Sequence, residues 1–326
     1  MKYQKLGNTD IEVSRISFGA WGIGGGNVWS DMSVDVRHVR DLLDHAYDLG
    51  INYIDTAPVY GVGTSEKILG EALNGCRDRF IVQTKCCLNW RNEGGEFEYV
   101  RDGYTVNKDH HASAIRKDVE DSLVRMSLDH IDVEVVHRMS SAVPVEETMS
   151  ELNKLIEEGK IRAVIISNSE PQNYEEYAKY GVIAGVQEKF SLLSDDKRRY
   201  FDTLKKYRAV FQVYGSLDEG ILAGPAILEK TFGADDIRSK SKWMKEPGRT
   251  ALKKMYEMLA PLCEKYNCSY ANLVQAWTLR QDPNINLLTG FRRFATMEDT
   301  CKVFDISLSD EDVQEISRIA EITKKG

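Results

Sequence analysis

Four side chains of the kinds that move protons fall at or just past the ends of successive apolar runs: Asp55 and Tyr60 after one, Lys85 after the next, His137 after a third. A free phenol is a weak acid near neutrality, with a pKa of about 10, but an adjacent ammonium stabilises the phenolate and lowers that value. A carboxylate beside the lysine keeps it charged and in place. An uncharged imidazole can then hydrogen-bond the same substrate oxygen or steady the tyrosine, so the four together would protonate an alkoxide as it forms. Each has a plainer use alone: Asp55 as a turn cap, Tyr60 as one of 15 tyrosines, Lys85 as a solvated strand end, His137 as a core imidazole. Burying all four at the ends of apolar strands costs desolvation energy that only mutual service recovers.

Those residues converge only if the runs that carry them lie side by side in parallel. Eight such runs follow one another, at 16–22, 52–57, 80–85, 131–137, 161–167, 185–190, 209–214 and 285–290. Amphipathic stretches separate them, for example 36–49, 65–73, 113–126, 145–158 and 250–266. The runs are apolar without strict alternation, as parallel strands covered on both faces require. An unbroken series of eight strand-helix units predicts a closed (β/α)8 barrel, an α/β fold whose active sites sit at the carboxyl ends of the strands. A doubly wound open sheet would place a glycine-rich phosphate turn after its first strand. The stretch Gly22-Ile23-Gly24-Gly25-Gly26 lacks the third glycine of that motif and leads into a polar loop, so it reads as a loop. Residues 3–6 and 11–13 flank the turn Gly7-Asn8-Thr9-Asp10, a hairpin expected to cap the barrel bottom. The long connection 215–245 follows the seventh strand and reads as a lid or binding loop. Residues 307–322, opening Ser-Leu-Ser-Asp-Glu-Asp, predict an extra carboxyl-terminal helix. Residues 1–326 are expected to form a single barrel domain.

The composition, 42% hydrophobic and 29% charged with only 7 prolines, is that of a chain with ample core. A net charge of −8 argues against gripping nucleic acid or an anionic membrane surface as the main task. The first residues lack an apolar leader core and no run approaches the length of a membrane span, so a cytoplasmic protein is expected. The six cysteines form no CxxC pair, and Cys263 with Cys268 lacks a second ligand pair, so reduced thiols and no metal are expected.

Several segments together resemble the aldo-keto reductase superfamily over essentially the whole length. They are N-Y-I-D-T-A-P-V-Y-G (52–61), G-x-S-E-K-I-L-G-E-A-L (63–73), T-K (84–85), L-D-H-I-D-V-E-V-V-H (128–137), E-E-G-K-I-R-A-V-I-I-S-N (157–168) and Y-G-S-L-x-x-G-I-L-A-G (214–224). The resemblance implies a (β/α)8 barrel, NADPH as cofactor with NADH as the alternative, and hydride transfer between the nicotinamide and a carbonyl or alcohol carbon of a small molecule. It makes Tyr60 the general acid, Asp55 and Lys85 its tuning pair, and His137 the substrate-orienting partner. Ser167, Asn168 and Gln187 would hold the carboxamide and Tyr214 would stack on the nicotinamide ring. Ser216, Leu217, Gly220 and Leu222 would cover the pyrophosphate. Gly290 to Thr300 would surround the adenosine 2′-phosphate, with Arg292 its main ligand and Thr296, Asp299 and Thr300 beside it. Gly22 joins the cofactor set, and Trp21 and Trp90 the substrate set.

The chain also departs from the family pattern. Arg138-Met139-Ser140 stands where Trp-Pro-Asp commonly follows the histidine, which alters a wall of the substrate pocket. Thr296, Asp299 and Thr300 replace the usual Gln or basic residue and Glu-Asn, and 186–190 reads Val-Gln-Glu-Lys-Phe. Two other functions fit parts of the pattern: a cofactor-binding redox-sensing subunit with little turnover, and a barrel aldolase using Lys85 as a Schiff-base amine. The specificity loops 22–34, 86–112 and 216–245 carry Trp29, Trp90, Phe97, Tyr99, Tyr104 and Trp243 among many charges, and suit bulky and polar carbonyls equally. Nothing in the sequence bears on oligomeric state.

Overall fold

The structure is a computed structural model and describes residues 1–25, 34–91, 94–234 and 236–326. Gly26 and Trp29 lie outside the described residues. The chain opens with a hairpin of β1 (Tyr3–Lys5) and β2 (Glu12–Ser14), paired antiparallel with Tyr3 opposite Ser14. Strand β3 (Ile16–Gly19) follows, then α1 (Val36–Asp48), whose first turn is capped by the Asp35 side chain accepting from the Arg37 amide. Next come β4 (Tyr53–Asp55), α2 (Thr64–Leu73) and β5 (Ile81–Cys86). Short strands β6 (Leu88–Asn89), β7 (Glu96–Arg101) and β8 (Tyr104–Lys108) interrupt the path to α3 (Ala112–Met126). The series continues through β9 (Ile131–Val136), α4 (Val145–Glu157), β10 (Ile161–Ser167), α5 (Pro171–Tyr177), β11 (Ile183–Lys189), α6 (Phe201–Tyr207) and β12 (Val210–Tyr214). It ends with α7 (Gly248–Tyr266), α8 (Tyr270–Leu279), β13 (Ile285–Gly290), α9 (Phe294–Cys301) and α10 (Asp310–Lys325).

Eight strands close into one parallel barrel in the order β3, β4, β5, β9, β10, β11, β12, β13. The closing seam pairs Leu287 with Ile16 and Gly290 with Gly19. The barrel therefore forms as its eightfold series of runs predicts. Its lower interior is apolar, and Leu6, Ile11 and Val13 of the hairpin pack there against Tyr53, Val133, Val135, Ile165 and Val210. The hairpin thus plugs the bottom. A larger apolar layer fills the space between strands and helices.

Two features differ from the sequence-based expectation. The first strand stops at Gly19, because Trp21–Ile23 tightens into a 3-10 turn rather than continuing as strand to residue 22. The loop 86–112 contains a three-stranded sheet in the order β6-β8-β7, in which β7 and β8 form a hairpin across Asp102-Gly103 and β6 joins with Leu88 opposite Lys108. The connection 215–245 is a loop as expected, with only short 3-10 turns among its described residues, at Pro225–Glu229, Ile237–Lys240 and Lys242–Met244. Among the described residues no helix is long and apolar enough to cross a membrane, and no group of His, Cys, Asp and Glu has metal-binding geometry.

Candidate active site

Side chains alternate along a strand, so Gln83 and Lys85 of β5 share the face that points into the barrel. Asp55 ends β4 beside them. Its Oδ1 accepts three hydrogen bonds: from Lys85 Nζ at 2.5 Å, Gln83 Nε2 at 2.5 Å and Gln187 Nε2 at 2.8 Å. Lys85 Nζ also donates to the Thr56 carbonyl at 2.7 Å. Both members of the ion pair are buried. Burial pulls the Lys85 ammonium below the ordinary lysine range, while the facing Asp55 pushes it back up.

Below the pair the amides continue across the barrel. Gln83 Nε2 and Gln187 Nε2 both donate to Gln212 Oε1, at 2.8 and 2.7 Å. Gln212 Nε2 reaches Asn286 Oδ1 at 3.2 Å, and Asn286 Nδ2 donates to the Ser14 carbonyl at 2.7 Å. A continuous polar thread therefore runs from Asp55 to the edge of the bottom hairpin. It holds Asp55 from below, where a lone carboxylate would be costly.

Tyr60 lies in the turn between β4 and α2, half-buried, with Lys85 Nζ 5.0 Å from its ring centroid. Its ring stands 6.2 Å from His137 at 86° and 6.1 Å from Trp21 at 33°. The turn is held by close backbone approach: Gly61 has φ +59, and a Cβ there would lie 2.2 Å from the Gly24 carbonyl oxygen. The loop after β3 is thereby pressed onto the Tyr60 turn. Burial, then the Asp55 charge, holds the Tyr60 phenol well above the ordinary value. The lysine does not lower it, contrary to the expectation from residue types. Lys85 faces the ring rather than the hydroxyl, and its charge is matched by Asp55.

His137, immediately after β9, is held well below the ordinary histidine range by burial first and then by Lys85, Arg138 and Arg101. It is uncharged at neutral pH. Its Nδ1 is buried without a hydrogen-bond partner among the described residues, and its carbonyl accepts from Asn168 Nδ2 at 2.9 Å.

The residues expected around a nicotinamide also meet. Ser167 Oγ donates to the Gln187 carbonyl at 2.7 Å and accepts from Asn168 Nδ2 at 3.0 Å, and the Tyr214 hydroxyl donates to Asn168 Oδ1 at 2.7 Å. Tyr214 is half-buried, its phenol pushed up to about 12 chiefly by burial. Past β12, Leu217 accepts from the amides of Gly220 and Leu222 at 2.9 and 3.0 Å. Ser216 and Leu222 are buried, the latter within the apolar layer. Gly22 lies against Arg292, where a Cβ would meet the arginine Cδ at 3.1 Å. Gly290 is exposed, Arg292 and Thr296 half-buried and Thr300 buried. Asp299 accepts from Ser269 Oγ at 3.0 Å and lines an open cavity of about 680 Å³ with Cys268, Asn272 and Lys302. Trp21 and Trp90 are half-buried at the mouth.

Sequence reasoning missed Gln83 and Gln212. Both stand two residues before a site residue, Lys85 and Tyr214, on the same inward face, and that period of two was the available signal. Tyr99, expected only as one of the aromatic residues of the specificity loops, packs with Tyr60 and Trp90 around Ala57, Val59, Leu88 and Val106. That contact depends on the three-stranded sheet.

The parallel barrel of eight strands gathers its ionisable groups at the carboxyl-end mouth, where barrel enzymes carry their active sites. The chain is a member of the aldo/keto reductase family, whose model matches residues 15–321. It is 34% identical over 332 residues to the NADH-specific methylglyoxal reductase of Escherichia coli, covering all of both chains. It is 31% identical to the aldo-keto reductase YhdN of Bacillus subtilis, over 99% of this chain and 95% of that one. Among solved structures, the glycerol dehydrogenase AKR11B4 from Gluconobacter oxydans superposes with a TM-score of 0.87 at 31% identity, over 97% of this chain and 94% of that one. The chain is therefore an aldo-keto reductase family oxidoreductase, and the family's cofactor is a nicotinamide dinucleotide, NADPH or NADH.

The residues present fit such a cofactor. Tyr214 is a ring fixed at its hydroxyl, the Ser167-Asn168-Gln187 group offers amide-matching polarity, and Asn272 Oδ1 is buried without a partner beside the Asp299 cavity.

Proposed function

We propose that this protein is a carbonyl reductase for small aldehydes and ketones, with Tyr60 as the general acid. The observation that carries this reading is the assembly at one barrel mouth of a phenol, a buried Asp55-Lys85 pair and an uncharged imidazole. The bound dihydronicotinamide supplies the hydride. Tyr60, whose raised pKa keeps it protonated, hands its proton to the carbonyl oxygen as negative charge develops there. His137 stays neutral and orients that oxygen without competing for the proton. Lys85, held by Asp55 with its Nζ 5.0 Å from the ring centroid, fixes the Tyr60 ring from one face. The Gln83-Gln212-Gln187 amides fix Asp55.

Ser167, Asn168 and Gln187 would receive the carboxamide, Tyr214 the nicotinamide face, residues 216–222 and Gly22 the pyrophosphate, and 290–300 the adenosine end. The Arg292 guanidinium supports NADPH over NADH, since it has no ion-pair partner among the described residues. The E. coli relative, named NADH-specific, supports the opposite preference. The names of the relatives point to 2-oxoaldehydes and short polyols as first substrates. The test is absorbance loss of NADPH and of NADH with methylglyoxal, together with the reverse reaction on glycerol. Steady consumption of either reduced cofactor supports the reading. Tight nucleotide binding without consumption across a panel of aldehydes, diketones and keto sugars points instead to a sensing subunit.

A further inference from the structure

The mouth carries two guanidinium groups that the chemistry above does not use. Arg101 ends β7 on the same strand as Tyr99, and its guanidinium lies 4.7 Å over the Tyr99 ring. Tyr99 in turn packs with Tyr60 and Trp90 around one small apolar cluster. The sheet therefore brings Arg101 to the substrate half of the mouth. No carboxylate of the described residues pairs with it. Arg138 follows His137 directly, where its carbonyl is pinned by His110 Nε2 at 2.8 Å. Its Nε stands 3.5 Å from Glu98 Oε1 without forming a hydrogen bond, and its side chain is 43% exposed.

We propose that Arg101 and Arg138 form an anion-binding subsite that selects carbonyl substrates carrying a carboxylate or phosphate at the far end from the reacting carbon. This deepens the reductase reading and rests on it.

Three physical points support the assignment. The charges of Arg101 and Arg138 reach the reacting groups: after burial and Lys85, both depress His137, and Arg101 acts against the upward push on Tyr60. The carboxylate beside Arg138, Glu98, is shared with Lys108 Nζ at 3.5 Å, so it does not match both cations. The cofactor has its own cationic candidate in Arg292, beyond β13 and on the opposite side of the barrel from β5 and β9. The two mouth arginines are thus left for the substrate. A planar guanidinium pair binds carboxylate or phosphate in fork geometry, which a point charge matches poorly.

The test compares kcat/KM for matched pairs with the holoenzyme: succinic semialdehyde against its methyl ester, and glyceraldehyde 3-phosphate against glyceraldehyde. Wild type is expected to prefer the charged member of at least one pair, and which pair shows the preference identifies carboxylate or phosphate. In Arg101→Gln the charged-to-neutral ratio should fall about ten- to a hundredfold, with a comparable fall in Arg138→Gln and partial recovery in Arg101→Lys. A second arm titrates 4-hydroxybutanoate and its methyl ester into the enzyme loaded with oxidised cofactor, a readout that needs no turnover. Loss of selective binding of the acid in Arg101→Gln supports the subsite even if no carbonyl is reduced, an outcome that would refute the reductase reading alone. Charged-to-neutral ratios near one in wild type, or ratios and binding unchanged in both Gln variants, would overturn the proposal.

Discussion

The phenol at the centre of the site is a weaker acid here than a free tyrosine, and the reason lies in what surrounds each atom. Burial and Asp55 raise Tyr60, while Lys85 sits under the ring at 5.0 Å with its charge already matched by the aspartate. The four residues were legible because an Asp, a Lys and a His at the ends of apolar strands have no cheap alternative use. The direction of the phenol shift was not legible, since it depends on whether the ammonium meets the oxygen or the face. Arg292 poses the same kind of question at the other end of the cofactor. A guanidinium engaging a 2′-phosphate bidentately contributes about 1.5 to 3 kcal/mol, or roughly one to two decades of affinity. Wild type is expected to bind NADPH more tightly than NADH, and Arg292→Ala to remove most of the difference while NADH affinity changes little. Calorimetric titration of both nucleotides into both proteins checks this. Equal wild-type affinities would instead make Arg292 an ordinary solvated arginine, with Thr296, Asp299 and Thr300 marking an NAD-tolerant site.

Between residue and barrel, the elements carry a tension of their own. Strand β9 alternates Val133 and Val135 toward the interior with Glu134 toward the helices, where it is fully buried and neither carboxyl oxygen has a hydrogen-bond partner among the described residues. Burial, with Asp118 and Glu66 nearby, raises Glu134 well above the carboxylate range. A folded-state pKa above the unfolded one means that the folded protein binds the proton more tightly. The associated stability is present below the unfolded value of about 4.3 and is lost as pH rises through the raised folded value. Glu134→Leu should therefore stabilise the protein at pH 8 by about 1 to 3 kcal/mol, with a smaller gain at pH 5. Urea unfolding at the two pH values measures it, and an unchanged or lower stability at pH 8 would show that Glu134 has a partner this account overlooks. The sequence showed β9 as a strand but not this cost, because burial on the outer face is set by α2 and α3. Likewise the three-stranded sheet over the mouth escaped notice. Its strands run two to six residues and half of β7 is exposed, so no apolar period marks it, and the one local signal was the Asp102-Gly103 hairpin turn.

At the scale of the whole molecule, eight apolar runs separated by amphipathic stretches left few topologies open; Asp55, Lys85 and His137 come together because β4, β5 and β9 are neighbours, and closure between β13 and β3 brings Gln187 and Gln212 across to Asp55 and Gln83. The hairpin plug was legible from its turn residues and its apolar Leu6, Ile11 and Val13. Less legible was the polar thread from Asp55 through Gln212 and Asn286 to Ser14, which ties the mouth to that plug. Its members come from five different strands, and only closure makes them neighbours. The same closure is why one hydroxyl can be tested alone. Tyr60→Phe removes a single oxygen at the half-buried mouth and leaves Lys85, Asp55 and the nicotinamide-facing residues in place. The most direct measurement is single-turnover hydride transfer, followed by loss of reduced-nicotinamide absorbance in rapid mixing, for wild type and Tyr60→Phe at equal cofactor occupancy. Cofactor affinity is expected to stay within about twofold of wild type while the transfer rate falls by roughly two to four orders of magnitude. A Tyr60→Phe protein that transfers hydride at close to the wild-type rate would contradict the assignment of Tyr60 as general acid.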